Sequence, residues 1–148
     1  MDTDLLAALI DRKAEILARL LSLARRQRDA VGQAEVAQLL GVLAAKQQWL
    51  NGLQDVERQL APFRHQDPER RRWRSPEDRR RARESAERCE ALLREIVLLE
   101  RECESELIRR RDAAARRLQG IHAGAQAGQA YSAIPLPRGG QLDVSSES

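Results

Sequence analysis

The chain has 148 residues, a third of them charged, a net charge of +3 and only four aromatic side chains, Trp49, Phe63, Trp73 and Tyr131. That is the composition of long helices rather than of a sheet, at a length that fits one domain. The longest unbroken apolar run, Leu5 to Ile10, excludes a membrane span, and the acidic start Asp2-Thr3-Asp4 does not read as a signal peptide, so the expected location is the cytoplasm.

The first predicted helix covers about residues 4–30, with Thr3 as its N-cap and Asp4 and Asp11 placing negative charge early. Its apolar stripe is broad: Leu5 with Leu6, Leu9 with Ile10, Ile16 with Leu17, Leu20 with Leu21. A two-stranded coiled coil needs only a narrow seam, so this width calls for two neighbours. Val31-Gly32-Gln33 is the expected break.

The second helix is expected over about 34–60. Val36, Leu39, Leu43, Leu50, Leu53 and Leu60 recur at alternating intervals of three and four, interrupted only by Lys46 and Glu57. The seam continues in phase across Asn51-Gly52 and overrides that turn signal. Trp49 reads as a packing anchor. Pro62 ends the helix, because the residue before a proline is pushed out of the helical region.

A loop from Phe63 to Arg74 carries Arg70-Arg71-Arg72-Trp73-Arg74. Helix three then starts sharply, with Ser75 as N-cap, Pro76 at the first helical position and Asp78 three residues after the cap. It is predicted over about 76–119, the longest of the three, with a seam of Ala82, Ala86, Cys89, Leu93, Ile96, Cys103 and Leu107. Leu92 to Leu99 is apolar around much of the circumference: either both other helices cover it or one side is left for a partner. Glu84–Arg88, Glu90–Arg94 and Glu106–Arg110 are spaced for weak pairs along the helix. Residues 120–148 read as a flexible, mostly disordered tail holding Tyr131 and the island Ile134-Pro135-Leu136-Pro137.

The fold expected is therefore all-α: an elongated antiparallel three-helix bundle or coiled coil over 1–119, followed by the tail. Cys89 and Cys103 lie two heptads apart on one helix, about 21 Å, beyond disulfide reach within it, and read as small buried seam residues. His65 and His122 are isolated. Gly120, Gly124 and Gly128 follow a helix rather than a strand, which does not support a phosphate loop. No catalytic constellation, cofactor site or metal site is expected; the chain reads as a binding protein and not an enzyme.

The order of elements resembles the FlgN family of flagellar export chaperones. The resemblance rests on the leucine-rich first helix, the break near Gly32, the run Val36-x-x-Leu39-Leu40-x-x-Leu43-x-x-Lys46-Gln47-x-x-Leu50-x-x-Leu53, the long third helix and the loose tail with Tyr131. It implies a cytoplasmic chaperone that binds the C-terminal helices of hook–filament junction (hook-associated) proteins and delivers them to the export gate and its ATPase complex. It also implies that Tyr131 docks on that gate. The client groove is expected along helices two and three, from Leu92, Ile96, Leu99 and Cys103, with Leu39, Leu43 and Leu50 lining or supporting it. A coiled-coil structural or adaptor protein is the alternative, and homo-oligomerisation stays open. Between Arg64 and Arg83 stand nine Arg against four acids, around Trp73. Nucleic-acid binding is a further alternative on that ground, against which stand the small net charge and the neighbouring Glu block.

Overall fold

The computed structural model describes residues 2–133. They form α1 (Asp2–Gln33), α2 (Val36–Leu60), two short 3-10 turns (Ala61–His65 and Pro68–Arg70) and α3 (Pro76–Ala133), with no strand among the described residues. The chain divides into two units, 1–106 and 107–148. In the first, parts of all three helices pack together; the described part of the second is the C-terminal stretch of α3.

Two of the helix ends differ from the sequence expectation at α1. Thr3 is not a cap: it lies inside the first turn, buried, and its hydroxyl donates to the carbonyl of Arg72 at 3.0 Å. Gly32 stays helical, and the turn is made two residues later by Ala34, whose φ of 57° is left-handed. The amide of Glu35 reaches the carbonyl of Ala30 at 3.0 Å and that of Ala34 reaches Val31 at 3.2 Å, the paired bonds of a Schellman ending. Glycine normally holds the position Ala34 occupies, because a Cβ crowds the backbone there.

The start of α3 is as expected. Ser75 Oγ accepts the amide of Asp78 at 3.1 Å, and Pro76 is the first helical residue. Its end is not. The helix continues beyond Gln119 to Ala133, correcting the tail expected from residue 120. Three glycines each cost about 1 kcal/mol, but alanine and glutamine between them are good helix formers. Neither β-branched crowding nor proline interrupts residues 122–133. Ile134 to Pro137 lie outside the described residues.

The core is organised around α1. Ile16 and Leu17 are its largest fully buried side chains, and they join Leu6, Leu9, Leu20, Val56, Leu60, Phe63 and Cys89 in one cluster. A smaller cluster unites Leu21, Ala24 and Leu99. On α2 the buried side chains are Val42, Val56 and Leu60, so only the last belongs to the expected seam; Val36 and Leu43 are exposed. Val42 and Val56 are themselves two heptads apart, so the buried stripe keeps the heptad period and lies one residue round the helix from Leu43, Leu50 and Glu57.

Polar ties link the same elements. Lys13 meets Glu57 at 2.8 Å, Arg25 meets Glu95 at 3.2 Å, and the Ser85 hydroxyl reaches Asp11 at 2.7 Å. Lys46, which interrupts the α2 seam, donates to Gln27 on α1 at 3.0 Å and to Glu100 on α3. Burial pushes the Glu57 carboxyl up, but hydrogen bonds from Lys13 and Arg64 outweigh it and hold the group below its usual range.

Two measurements follow from these features. Ala34→Gly should raise stability by about 1 kcal/mol by relieving the left-handed alanine, read as a higher midpoint in urea with an unchanged slope. A depressed carboxyl pKa stabilises the fold above its unfolded value of about 4.3, and that contribution disappears as pH falls through the folded value. Glu57→Gln should therefore melt lower than the parent near neutral pH, by less than about 1 kcal/mol because the group is partly exposed, and match it in acid.

Candidate partner-binding surface

The apolar girdle of α3 divides into two faces. Leu92, Ile96, Leu99 and Cys103 follow intervals of four, three and four, which keeps them on one side of the helix. That side is the interior: Leu92 and Ile96 pack against both core clusters, Leu99 belongs to the smaller one, and Cys103 is buried. The α3 residues expected to form a client groove are thus bundle-facing. They were singled out as one stripe, and the stripe exists, but it is the one the fold consumes.

The remaining circumference is open. Leu93, Val97 and Leu98 are 45%, 39% and 58% exposed, whereas Leu99 is only 9% exposed. With Glu90, Arg94 and Arg101 they line an open depression of about 490 Å³. Among the described residues none of these three charged side chains is in an ion pair; the expected Glu90–Arg94 pair is not formed, and the nearby pairs are Arg80 with Glu77 and Glu84. The depression therefore offers apolar contact framed by available charges of both signs. Neighbouring positions on a helix differ by 100°, so the surplus apolar residues beside an interior stripe were the signal for this face.

On α2, Leu50 packs against the main cluster and Leu39 is half-buried. Leu43 is exposed, and with Val36 and Leu40 it makes a second open strip at intervals of four and three. Of the expected groove residues, Leu43 is the one that is exposed, while Leu40, Leu93, Val97 and Leu98 were missed.

The other singled-out groups have structural settings. Trp49 is half-buried against the core with the guanidinium carbons of Arg12 and Arg19 6.0 and 5.8 Å from its ring centre, a packing anchor as read. Cys89 lies in the core and donates to the carbonyl of Ile10 at 3.6 Å; burial pushes both cysteine thiols up. In the basic segment Arg64 meets Glu57, Arg74 meets Asp4 at 2.6 Å, and Arg71 donates to the carbonyl of Phe63 at 2.7 Å. Trp73 is packed against the core. Much of this segment is thus a strap tied to α1 and to the first 3-10 turn. His65 and His122 are exposed, and no metal-holding group is assembled among the described residues. In the second unit, Leu118, Ile121 and Tyr131 are exposed on the helix. Among the described residues, no helix is long and apolar enough to cross a membrane.

Comparison of the chain with protein-family models, with curated proteins and with solved structures finds no match. The surface is therefore weighed on its own geometry. Two adjacent substitutions test the division of faces. Leu99→Glu should destabilise the fold by several kcal/mol, because it places an unpaired carboxylate between Leu21 and Ala24. Leu98→Glu should leave the melting temperature nearly unchanged. Equal losses would mean that both positions are interior.

Proposed function

We propose that this chain is a binding protein that holds an amphipathic helix of an export client against the open face of α3. The observation that carries the reading is the exposed set Leu93, Val97 and Leu98 beside unpaired Glu90, Arg94 and Arg101. Helix-in-groove recognition uses apolar anchors at intervals of three and four, and an exposed apolar patch rimmed by charge suits it. The underlying fold we read as an antiparallel three-helix arrangement. Its support is the order of contacts: Lys13 with Glu57 and Gln27 with Lys46 run in opposite directions along α1 and α2, and Asp11 with Ser85 and Arg25 with Glu95 run in the same direction along α1 and α3.

The resemblance to FlgN-like chaperones gives this reading its specific form. The client would be the C-terminal helix of a hook–filament junction protein, met in the cytoplasm and passed to the export gate. The delivery contact would be Tyr131, an exposed aromatic ring with a polar tip on the last stretch of α3, with a role distinct from holding the client. No chemistry is required of the chain in this role, and no cofactor.

The test is binding of a fluorescently labelled peptide spanning the C-terminal helix of such a junction protein from the same cell. The parent should bind it in the micromolar range or tighter, and Leu98→Glu should weaken binding at least about tenfold with helicity unchanged. Tyr131→Ala should keep peptide affinity and helicity but reduce capture by the isolated export-gate domain. Undiminished binding by the Leu98 variant would move the client off this face, and no binding by the parent would overturn the reading.

A further inference from the structure

Between the strap and the first turn of α1 lies a second concavity, of about 490 Å³, which the helix-docking reading does not use. This volume falls in the range of small-ligand sites. Its apolar wall comes from Leu6 of α1 and Phe63 of the first 3-10 turn. Its polar wall is Arg70, Arg71 and Arg72, held in place by two backbone hydrogen bonds: the Arg71 side chain to the Phe63 carbonyl, and Thr3 to the Arg72 carbonyl.

Arg71 is unusual among the chain's arginines. One end of its guanidinium is used, but its Nε is buried without any hydrogen-bond partner. That N–H is closed to solvent and Nη2 is taken by Phe63, which leaves Nη1 as the guanidinium nitrogen to meet a ligand. The first turn of α1 reaches the same cavity through Asp2 and Thr3, and the amides of a first helical turn have no acceptors of their own. Thr3 spends its hydroxyl on Arg72 and so does not cap them.

Charge selects the ligand class. Asp67 is paired with Arg70 at 3.8 Å, and Arg71 and Arg72 against Asp2 leave a net charge of about +1 on the rest of the wall. That balance suits one negative charge better than a phosphate dianion or a polyphosphate chain, whose extra charge would meet the two carboxylates. Leu6 and Phe63 supply a place for an apolar group joined to it.

We propose that this cavity binds the C-terminal residue of a peptide, its carboxylate on Arg71 and Arg72 and its apolar side chain against Leu6 and Phe63. Capture of a terminal carboxylate by arginine and free amides is an established mode of peptide recognition. The proposal is independent of the open face on α3 and stands or falls without it.

The probe is an N-acetylated pentapeptide ending in leucine, as the free acid and as the C-terminal amide, titrated by calorimetry into the full chain. The free acid should bind, and the amide should bind at least about tenfold more weakly. Arg71→Gln should remove that preference. Because Arg71 also holds the Phe63 carbonyl, Arg72→Gln is the parallel variant, whose side chain is exposed and carries no fold contact. Either variant must keep the parent's circular dichroism to count, and Arg58→Gln, an exposed arginine on α2, should behave as the parent. Equal affinity for acid and amide, no binding of either, or displacement of the acid by inorganic phosphate at lower concentration than by acetate would each overturn the proposal.

Discussion

Ile16 and Leu17 are adjacent in sequence and both withdrawn from water. On a helix, adjacent side chains point 100° apart, so no single neighbouring helix can cover both. This constraint makes α1 the centre of the bundle and requires two partners for it. Leu20 with Leu21 repeats the demand one turn later, the first joining the main cluster and the second the smaller one with Leu99. Burying each such side chain contributes about 1.5–3 kcal/mol, most of it offset by the ordering of the chain. A bundle with few aromatics has little margin beyond this, and it explains why α1 is the most buried element while α2 and α3 keep much of their circumference open.

That asymmetry produces the open apolar face of α3. Once α3 has given Leu92, Ile96 and Leu99 to the core, the next residues around the helix have no partner left within the first unit. Leu98 and Leu99 are chemically identical neighbours, and only the phase of the helix assigns one to the interior and the other to water. The strap of residues 61–75 solves a different problem. It turns the chain between two helices, and its arginines neutralise Asp4 and Glu57 and hydrogen-bond a carbonyl of the turn. A basic tract that looks like a polyanion-binding segment in one dimension is thereby partly absorbed by the fold.

Much of the architecture was legible in the sequence because it follows from local rules. The breadth of the α1 stripe announced two neighbours, Pro62 the end of α2, and Ser75-Pro76 the start of α3. What was not legible depends on tertiary choice. Ala34 takes a conformation that its side chain disfavours, so no composition rule marks it, whereas Gly32 advertises a break that the chain does not use. Thr3 has the chemistry of a cap, and its longer-range partner at Arg72 could not be seen from its neighbours. The seam of α2 had the right period but the wrong phase, as Val42 and Val56 show. The surplus of apolar residues on α3 was visible; which side of it would remain uncovered was not, because both sides satisfy a helical spacing.

Lys46 has a consequence for how the bundle can move. Its ammonium sits between Gln27 and Glu100, with most of the side chain covered. Sliding α2 along its neighbours by one heptad would carry that charge about 10 Å away from both partners. Parting this partly covered cation from its carboxylate forfeits a charge-assisted hydrogen bond, typically about 1.5–3 kcal/mol, a sizeable share of the stability of a small domain. The leucine stripes alone would tolerate such a slip, since one leucine replaces another at each step. Lys46 therefore acts as an index pin, setting a single register among several of similar apolar energy. Side chains on the outer faces of the first unit can then rearrange while the register of its helices is held.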